Sequence, residues 1–381
     1  MSVADLALQR NKYKHLTDEE WRWFLQQVEG RERTADKLPM FAAIEDWWYP
    51  VRLSCEQCSS ELAARYKASL VERKKTASLK EESRLVDLTG GYGVDTFFLS
   101  EAFEHTDYVE QNAELCRIVA HNFSLIDNRK SIIVRNSSAE EFLSTAGQYD
   151  LIFLDPARRD SHGGKVFRLE DCTPNVVELL PTLLDHGKRI LLKLSPILDL
   201  TQAVTSLSQV TWDIYIVAIK NEVKEVLLLN QESRAKSQEQ TISAIDLAEP
   251  EKAFTFTREE EQMCPSGIGH LRFDIGYFLY EPNAAILKAG AYKLVAERFG
   301  LHKLDVNTHL YCSDQFIENF PGRVWKIVEK QDLKQANVLC RNYPLTPEQL
   351  KKKLHLRDGG TAYVIGCRVN GKPTLFFAER V

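Results

Sequence analysis

Seven short apolar runs, separated by amphipathic stretches between residues 84 and 230, constrain the fold of this 381-residue chain more than any other feature. The runs fall at 85–88, 107–110, 131–136, 150–155, 189–195, 212–219 and 225–230. Helical spacing fills the gaps near 94–104, 112–126, 139–145, 174–186 and 200–208. Short strands alternating with helices imply right-handed crossovers and an open, doubly wound α/β sheet. The last link is the exception, because five residues between 219 and 225 are too few for a parallel crossover and suit a hairpin. The seventh strand is therefore expected to run antiparallel within an otherwise parallel sheet.

The flanking segments read differently. Residues 1–80 show helical periodicity and no strand alternation; Thr17 is a candidate N-cap with Glu20 three positions on, and a second helix is expected from about Cys55 to Ala77. The polar, acidic stretch 232–262 reads as a connector. A strand and a helix near 283–299 come next. The tail supplies RVWKIVE, ANVLCRNY, the helix TPEQLKKKL and two strands joined at Asn370 and Gly371, a strong hairpin signal. The expected divisions are 1–80, 81–235, 236–308 and 309–381.

Composition narrows the class. Hydrophobic residues at 44% and charged residues at 27% suit a globular chain and exclude wholesale disorder. The first residues, MSVADLALQRNKYK, contain no continuous apolar stretch, and Ile190 to Leu200 is interrupted by Lys193, so a soluble, cytoplasmic protein without a membrane partner is expected. Of eight cysteines only Cys55 and Cys58 form a CxxC, with no second pair to complete a zinc site, so no metal is expected. Charge is uneven: from Pro282 onward 16 Lys and Arg face 9 Asp and Glu, a net +7, which leaves −12 for the preceding residues. Arg323, Lys326, Lys330, Lys334, Arg341, Lys351, Lys352, Lys353, His355 and Arg357 suit phosphate backbones, although a charge run is as readily a solvated helix face.

The sharpest motif is VDLTGGYGVD, residues 86–95, which closes the first strand and opens the first helix. Gly90, Gly91 and Gly93 let the backbone turn tightly and approach a ligand. Glu110 follows Asp87 by 23 residues, at the end of the second strand, where a carboxylate can hold ribose hydroxyls. A dinucleotide fingerprint wants a third glycine where Thr96 stands. At the end of the fourth strand, LDPARRD places Asp155 and Pro156 where a substrate would lie. A carboxylate there can orient an amine, and the bland alternative is an Asp-Pro that merely starts a loop. Arg158 and Arg159 can clamp phosphate, or else pair with Asp160, Glu170 or Asp171. Lys193, Ser195 and Pro196 end the fifth strand on the same edge.

The pattern Asp87-x-Thr89-x-Gly91-x-Gly93 resembles motif I of class I S-adenosylmethionine methyltransferases, and the antiparallel last strand resembles their Rossmann-like sheet. Together with CEQCSSELAARYKASL (55–70), LDPARR, KLSP, KNEVKEVLLL, LYEPNAAILKAG and RNYPLTPEQLKKKLHLRDGG, the chain resembles a bacterial class I methyltransferase family from about residue 50 to 381. That family carries an N-terminal helical part, a small ferredoxin-like domain and a C-terminal THUMP-like domain. The resemblance implies methyltransferase residues at 81–235, the ferredoxin-like part with its connector at 236–308, and the THUMP-like part at 309–381. It implies S-adenosylmethionine as cofactor, held by Asp87, Thr89, Gly90, Gly91 and Gly93, with Glu110 on the ribose. The adenine would lie near Ser138 and Ala139, unless Ser138 only caps the next helix. Asp155 and Pro156 sit where nucleobase methyltransferases carry their substrate-gripping signature, but Ala157 replaces its second proline and Arg158 its aromatic. The expectation is methylation of RNA (rRNA or tRNA) at a base nitrogen, with Arg158, Arg159, Lys193, Gln57 and Lys67 toward the substrate. A protein or small-molecule substrate, or an inactive RNA-binding protein, are the alternatives. The helix carrying Gln57 and Lys67 would either lid the pocket or dock its Leu62, Ala63 and Ala64 face on the sheet.

Overall fold

The computed structural model describes residues 3–73, 82–126, 131–157, 168–230, 239–268 and 274–381. The chain forms two compact units, Met1–Trp212 with Leu228–Lys236, and Asp213–Leu227 with Ser237–Val381.

The apolar runs become strands: β1 Arg84–Asp87, β2 His105–Glu110, β3 Ser131–Asn136, β4 Leu151–Leu154, β5 Ile190–Leu194, β6 Trp212–Ile219 and β7 Glu222–Asn230. Strands β8 Thr241–Asp246 and β9 Phe254–Thr257 follow, and the sheet order is β3-β2-β1-β4-β5-β7-β6-β8-β9. The first five strands are parallel, joined through crossovers. Sequence order reverses between β1 and β4, whose register aligns Asp87 with Phe153. Crevices open at such switch points, beyond the carboxyl ends of the strands.

Two features depart from the sequence reading. The β6–β7 link is two residues, not five: Lys220 and Asn221 both have positive φ, 52° and 64°, as a tight hairpin requires. The supposed connector also supplies β8, parallel to β6, and β9, antiparallel to β8, so the sheet gains two strands beyond the expected seven. Alternating Ile242, Ala244 and Phe254, Phe256 are buried; their short runs amid acidic residues concealed the pattern.

The capping box at Thr17 and Glu20 starts the helix Asp18–Thr34 as expected. The second helix is broken. Helix Arg52–Gln57 ends where Cys58 turns extended, and helix Glu61–Arg73 begins anew after Ser59 and Ser60. This N-terminal segment shares one core with the first sheet unit: Leu38, Phe41, Trp47, Tyr49, Ala64 and Ala68 pack with Tyr92, Val94, Phe97 and Phe98.

The second unit also contains a seven-stranded sheet in the order β11-β12-β10-β13-β16-β15-β14. Its strands are β10 Phe278–Pro282, β11 His302–Asp305, β12 Thr308–Ser313, β13 Gly322–Val328, β14 Asn337–Arg341, β15 Ala362–Val369 and β16 Lys372–Arg380. The expected helix at 283–299 is two helices, Ala284–Ala289 and Tyr292–Phe299, because Gly290 turns left-handed at φ 84°. Asn370 and Gly371 join β15 to β16 with φ of 46° and 80°. Glu281, 2% exposed, takes ion pairs from both Arg323 and Arg341, so two cations of the basic tail are already engaged.

The β6–β7 turn is held by buried Asp246, whose Oδ1 accepts from the amides of Lys220 (2.9 Å) and Ala248 (3.0 Å) while Oδ2 accepts from Asn221 (2.5 Å). Asp246→Ala strands three amides and is expected to lower the unfolding free energy by about 2 to 4 kcal/mol, read from the urea midpoint.

Candidate active site

Four segments of the first unit meet at the switch point, and the glycine loop is the centre of them. Asp87, 1% exposed, ends β1 and folds its carboxylate back on the loop: Oδ1 accepts from the Thr89 amide (3.0 Å) and Oδ2 from the Thr96 hydroxyl (2.5 Å). Burial raises its pKa to about 7, even though both hydrogen bonds favour the ionised form. Gly90 must be glycine, since a Cβ there would stand 2.2 Å from the Tyr108 ring. Gly91 and Gly93 have φ of 55° and 76°. A Cβ on Gly91 would meet only the Thr89 carbonyl oxygen, at 3.7 Å, so its outer side leaves room for a ligand.

The end of β2 grips the loop. Glu110 accepts from the Gly91 amide through Oε2 (3.0 Å) and from the Asn112 amide through Oε1 (2.8 Å), and Tyr108 donates to the Gly91 carbonyl (2.6 Å). Each Glu110 oxygen keeps a second lone pair, the requirement for accepting from a ribose diol. Past β3, Ser138 caps helix Ala139–Leu143 by accepting from the Glu141 amide, and buried Ala139 begins it. Ser138 thus serves as an N-cap, and the Ser137 amide ties this turn to the Glu110 carbonyl (3.1 Å).

Asp155 and Pro156 follow β4. The Asp155 amide donates to the Thr89 hydroxyl (2.6 Å), so one hydrogen bond joins the acidic turn to the glycine loop. Its side chain is 35% exposed and ion-paired through Oδ2 with Lys193, from β5. Lys193 Nζ also lies 3.9 Å from Asp95 Oδ2, so its ammonium stands between two carboxylates. Arg158 and Arg159 lie outside the described residues. Gln57 is exposed at the end of its helix.

Lys67 corrects the sequence reading. Expected to face a substrate, it is wholly buried, its Nζ 3.2 Å from Asp95 Oδ1 and 3.2 Å from Ser59 Oγ. It lies on the apolar face of helix Glu61–Arg73 with Ala63, Ala64 and Ala68, while Leu62 is 46% exposed. The helix therefore docks on the sheet unit through Ala63 and Ala64 as expected, joined by Lys67 and Ala68, with Leu62 turned outward. Ser59 completes the group by donating to Asp95 Oδ2 (2.7 Å). Burial opposes ionisation of Asp95, yet Lys67 and Lys193 hold its pKa below the ordinary value.

Sequence reasoning missed this cluster and missed the anchoring of Tyr92, whose hydroxyl accepts from Trp47 Nε1 (2.8 Å) and donates to the Trp48 carbonyl (3.1 Å). The available signals were a lysine at helical spacing among alanines and an aromatic between two glycines. The CxxC is a pair of free thiols: burial pushes Cys55 up to about 12, and Cys58 Sγ donates to the Cys55 carbonyl.

Comparison with known proteins bears on this arrangement. The ferredoxin-like domain family matches residues 278–321 and the THUMP domain-like family residues 322–380. A crystal structure of a protein assigned as a methyltransferase, from Porphyromonas gingivalis W83, is 32% identical, with 96% of this chain aligned to 92% of that one at a TM-score of 0.83. The chain belongs to that class I methyltransferase family. Two Mycobacterium tuberculosis proteins, from strains CDC 1551 / Oshkosh and ATCC 25618 / H37Rv, are named as uncharacterized S-adenosylmethionine-dependent methyltransferases; each is 23% identical over 231 residues. That match spans 58% of this methyltransferase-family chain and 60% of each relative. Among the described residues, no helix is long and apolar enough to cross a membrane.

Two outcomes follow from the buried charges. Asp95→Ala removes the buried carboxylate that faces Lys67 and Lys193 and is expected to cost about 3 to 5 kcal/mol, as measured by denaturant unfolding, with part of it recovered by adding Lys67→Met. The raised pKa of Asp87 means the folded chain holds this proton to higher pH than the unfolded chain. Its contribution to stability is complete below about pH 4 and is lost as pH rises toward 7, with a slope of at most about 1.4 kcal/mol per pH unit. Unfolding free energies of Asp87→Asn measured across that range should lack this slope.

Proposed function

We propose that this chain transfers the methyl group of S-adenosylmethionine to RNA, at a base nitrogen. The observation that carries the reading is the single hydrogen bond between the Asp155 amide and Thr89, which joins a partly exposed carboxylate to the glycine loop at the sheet's switch point. In this reading Asp87, Thr89, Gly90, Gly91 and Gly93 hold the cofactor, Glu110 takes the ribose hydroxyls, and Ser138 and Ala139 border the adenine. The cofactor supplies an already activated methyl group on its sulfonium. What remains for the protein is alignment and desolvation, which in well-oriented systems account for roughly 7 to 11 kcal/mol of a barrier. Asp155 orients the nucleophile by accepting its N–H, Lys193 steadies that carboxylate, and Pro156 keeps the turn fixed.

The substrate reading draws support from the second unit. The THUMP domain-like match lies there, and so does a cluster of exposed cations. The Arg357 amide donates to the Lys334 carbonyl (3.0 Å) and the His355 amide to the Lys352 carbonyl (3.2 Å). Lys334, Lys352, Lys353, His355 and Arg357 are therefore gathered at the end of helix Pro347–Lys353, where phosphates can replace counterions.

The test is incubation of the full chain with methyl-labelled S-adenosylmethionine and total cellular RNA, followed by digestion to nucleosides. Label is expected in one modified base. Asp155→Ala should lower transfer by at least about 100-fold while cofactor affinity stays within a few fold. Cofactor binding with no label in any nucleoside would exclude RNA as the substrate.

A further inference from the structure

We infer that Trp47 and Tyr92 form a positioning pair for cofactor binding, which makes the segment ahead of the sheet a working part of the cofactor site. The inference rests on the S-adenosylmethionine reading above and assigns a role to Trp47, outside the glycine loop, and to Tyr92, at a position the loop's pattern leaves unspecified. A loop with glycines at 90, 91 and 93 has wide conformational freedom, and a ligand that needs one arrangement must order it on binding. Here the arrangement is held beforehand from two sides. From β2, Glu110 and Tyr108 take the amide and the carbonyl of Gly91. From the N-terminal segment, the next residue is taken: Tyr92, 4% exposed, receives the Trp47 indole N–H and gives its own hydrogen to the Trp48 carbonyl.

The anchor is itself fixed. Trp47 is stacked on Phe41 with ring centroids 4.4 Å apart, and Phe41 stands edge-on to Phe97, from the helix that the loop opens, at 4.9 Å. Trp48 is clamped by Asn122, which accepts from its amide (2.8 Å) and donates to its carbonyl (2.9 Å), and its ring is stacked on His121 at 3.6 Å. Those two residues belong to helix Ala113–Ser124, which follows the strand carrying Glu110. Both grips on the loop thus lead back to β2 and the helix that follows it, and burial keeps the Tyr92 phenol protonated by pushing its pKa far up.

Isothermal titration of the full chain with S-adenosylmethionine tests the pair. Trp47→Phe keeps the aromatic stack and removes the N–H; Tyr92→Phe keeps the buried ring and removes the hydroxyl. Each is expected to weaken binding about fivefold to tenfold with a less favourable binding entropy, because the loop is then ordered by the ligand. The double variant should bind about as Tyr92→Phe does, since Tyr92→Phe already removes the one contact that Trp47→Phe breaks, along with the bond to the Trp48 carbonyl. Trp21→Phe, whose ring packs on Tyr13 and Phe24, should bind as the wild type does. Wild-type affinity in Tyr92→Phe overturns the inference while leaving the cofactor reading intact, as does an equal loss in Trp21→Phe. No uptake by the wild-type chain overturns both.

Discussion

A buried aspartate in the first turn of a six-residue helix ties the N-terminal helices to the carboxyl end of the strands in the first unit. Asp95 is 8% exposed and is approached by Lys67 and Ser59 from the N-terminal helices and by Lys193 from β5. An isolated carboxylate this deep would be protonated, and isolated ammonium groups would not be tolerated beside it. Each charge makes the others admissible. The N-terminal helices cannot leave without exposing an unbalanced group, so they belong to the same folding unit as the strands.

That constraint organises the site above it. Lys193, drawn toward Asp95, also engages Asp155, whose amide is bonded to Thr89 of the glycine loop. The loop is bonded in turn to the end of β2 and to the tryptophan pair. Backbone amides and carbonyls that a glycine-rich turn would leave to solvent are thus engaged before any ligand arrives. Preorganisation of this kind suits a reaction in which alignment, more than covalent assistance, lowers the barrier.

The second unit handles charge differently. Glu281 sits among buried neighbours in β10 and pairs with both Arg323 from β13 and Arg341 from β14, so these arginines brace the sheet. Among the described residues, the side-chain ion pair at the lysines around helix Pro347–Lys353 is that of Lys351 with Asp358. A net charge counted along the sequence mixes the two kinds, and only their placement tells a brace from a binding surface.

What could be read from residues alone was local. Apolar period and length gave β1 to β7 to within three residues at each end, Thr17 and Glu20 gave a capping box, and Asn370 with Gly371 gave a hairpin, because each depends on neighbours within a few positions. The glycine loop and the acid at 110 were legible for the same reason, as conformational requirements written at fixed spacing. The tertiary structure alone decided that Lys67 faces inward, that Tyr92 is held by Trp47, and that an acidic connector adds two strands. Each outcome turns on a partner tens of residues away, and the energy of burying a charge or pairing a strand edge belongs to the contact, not to the residue.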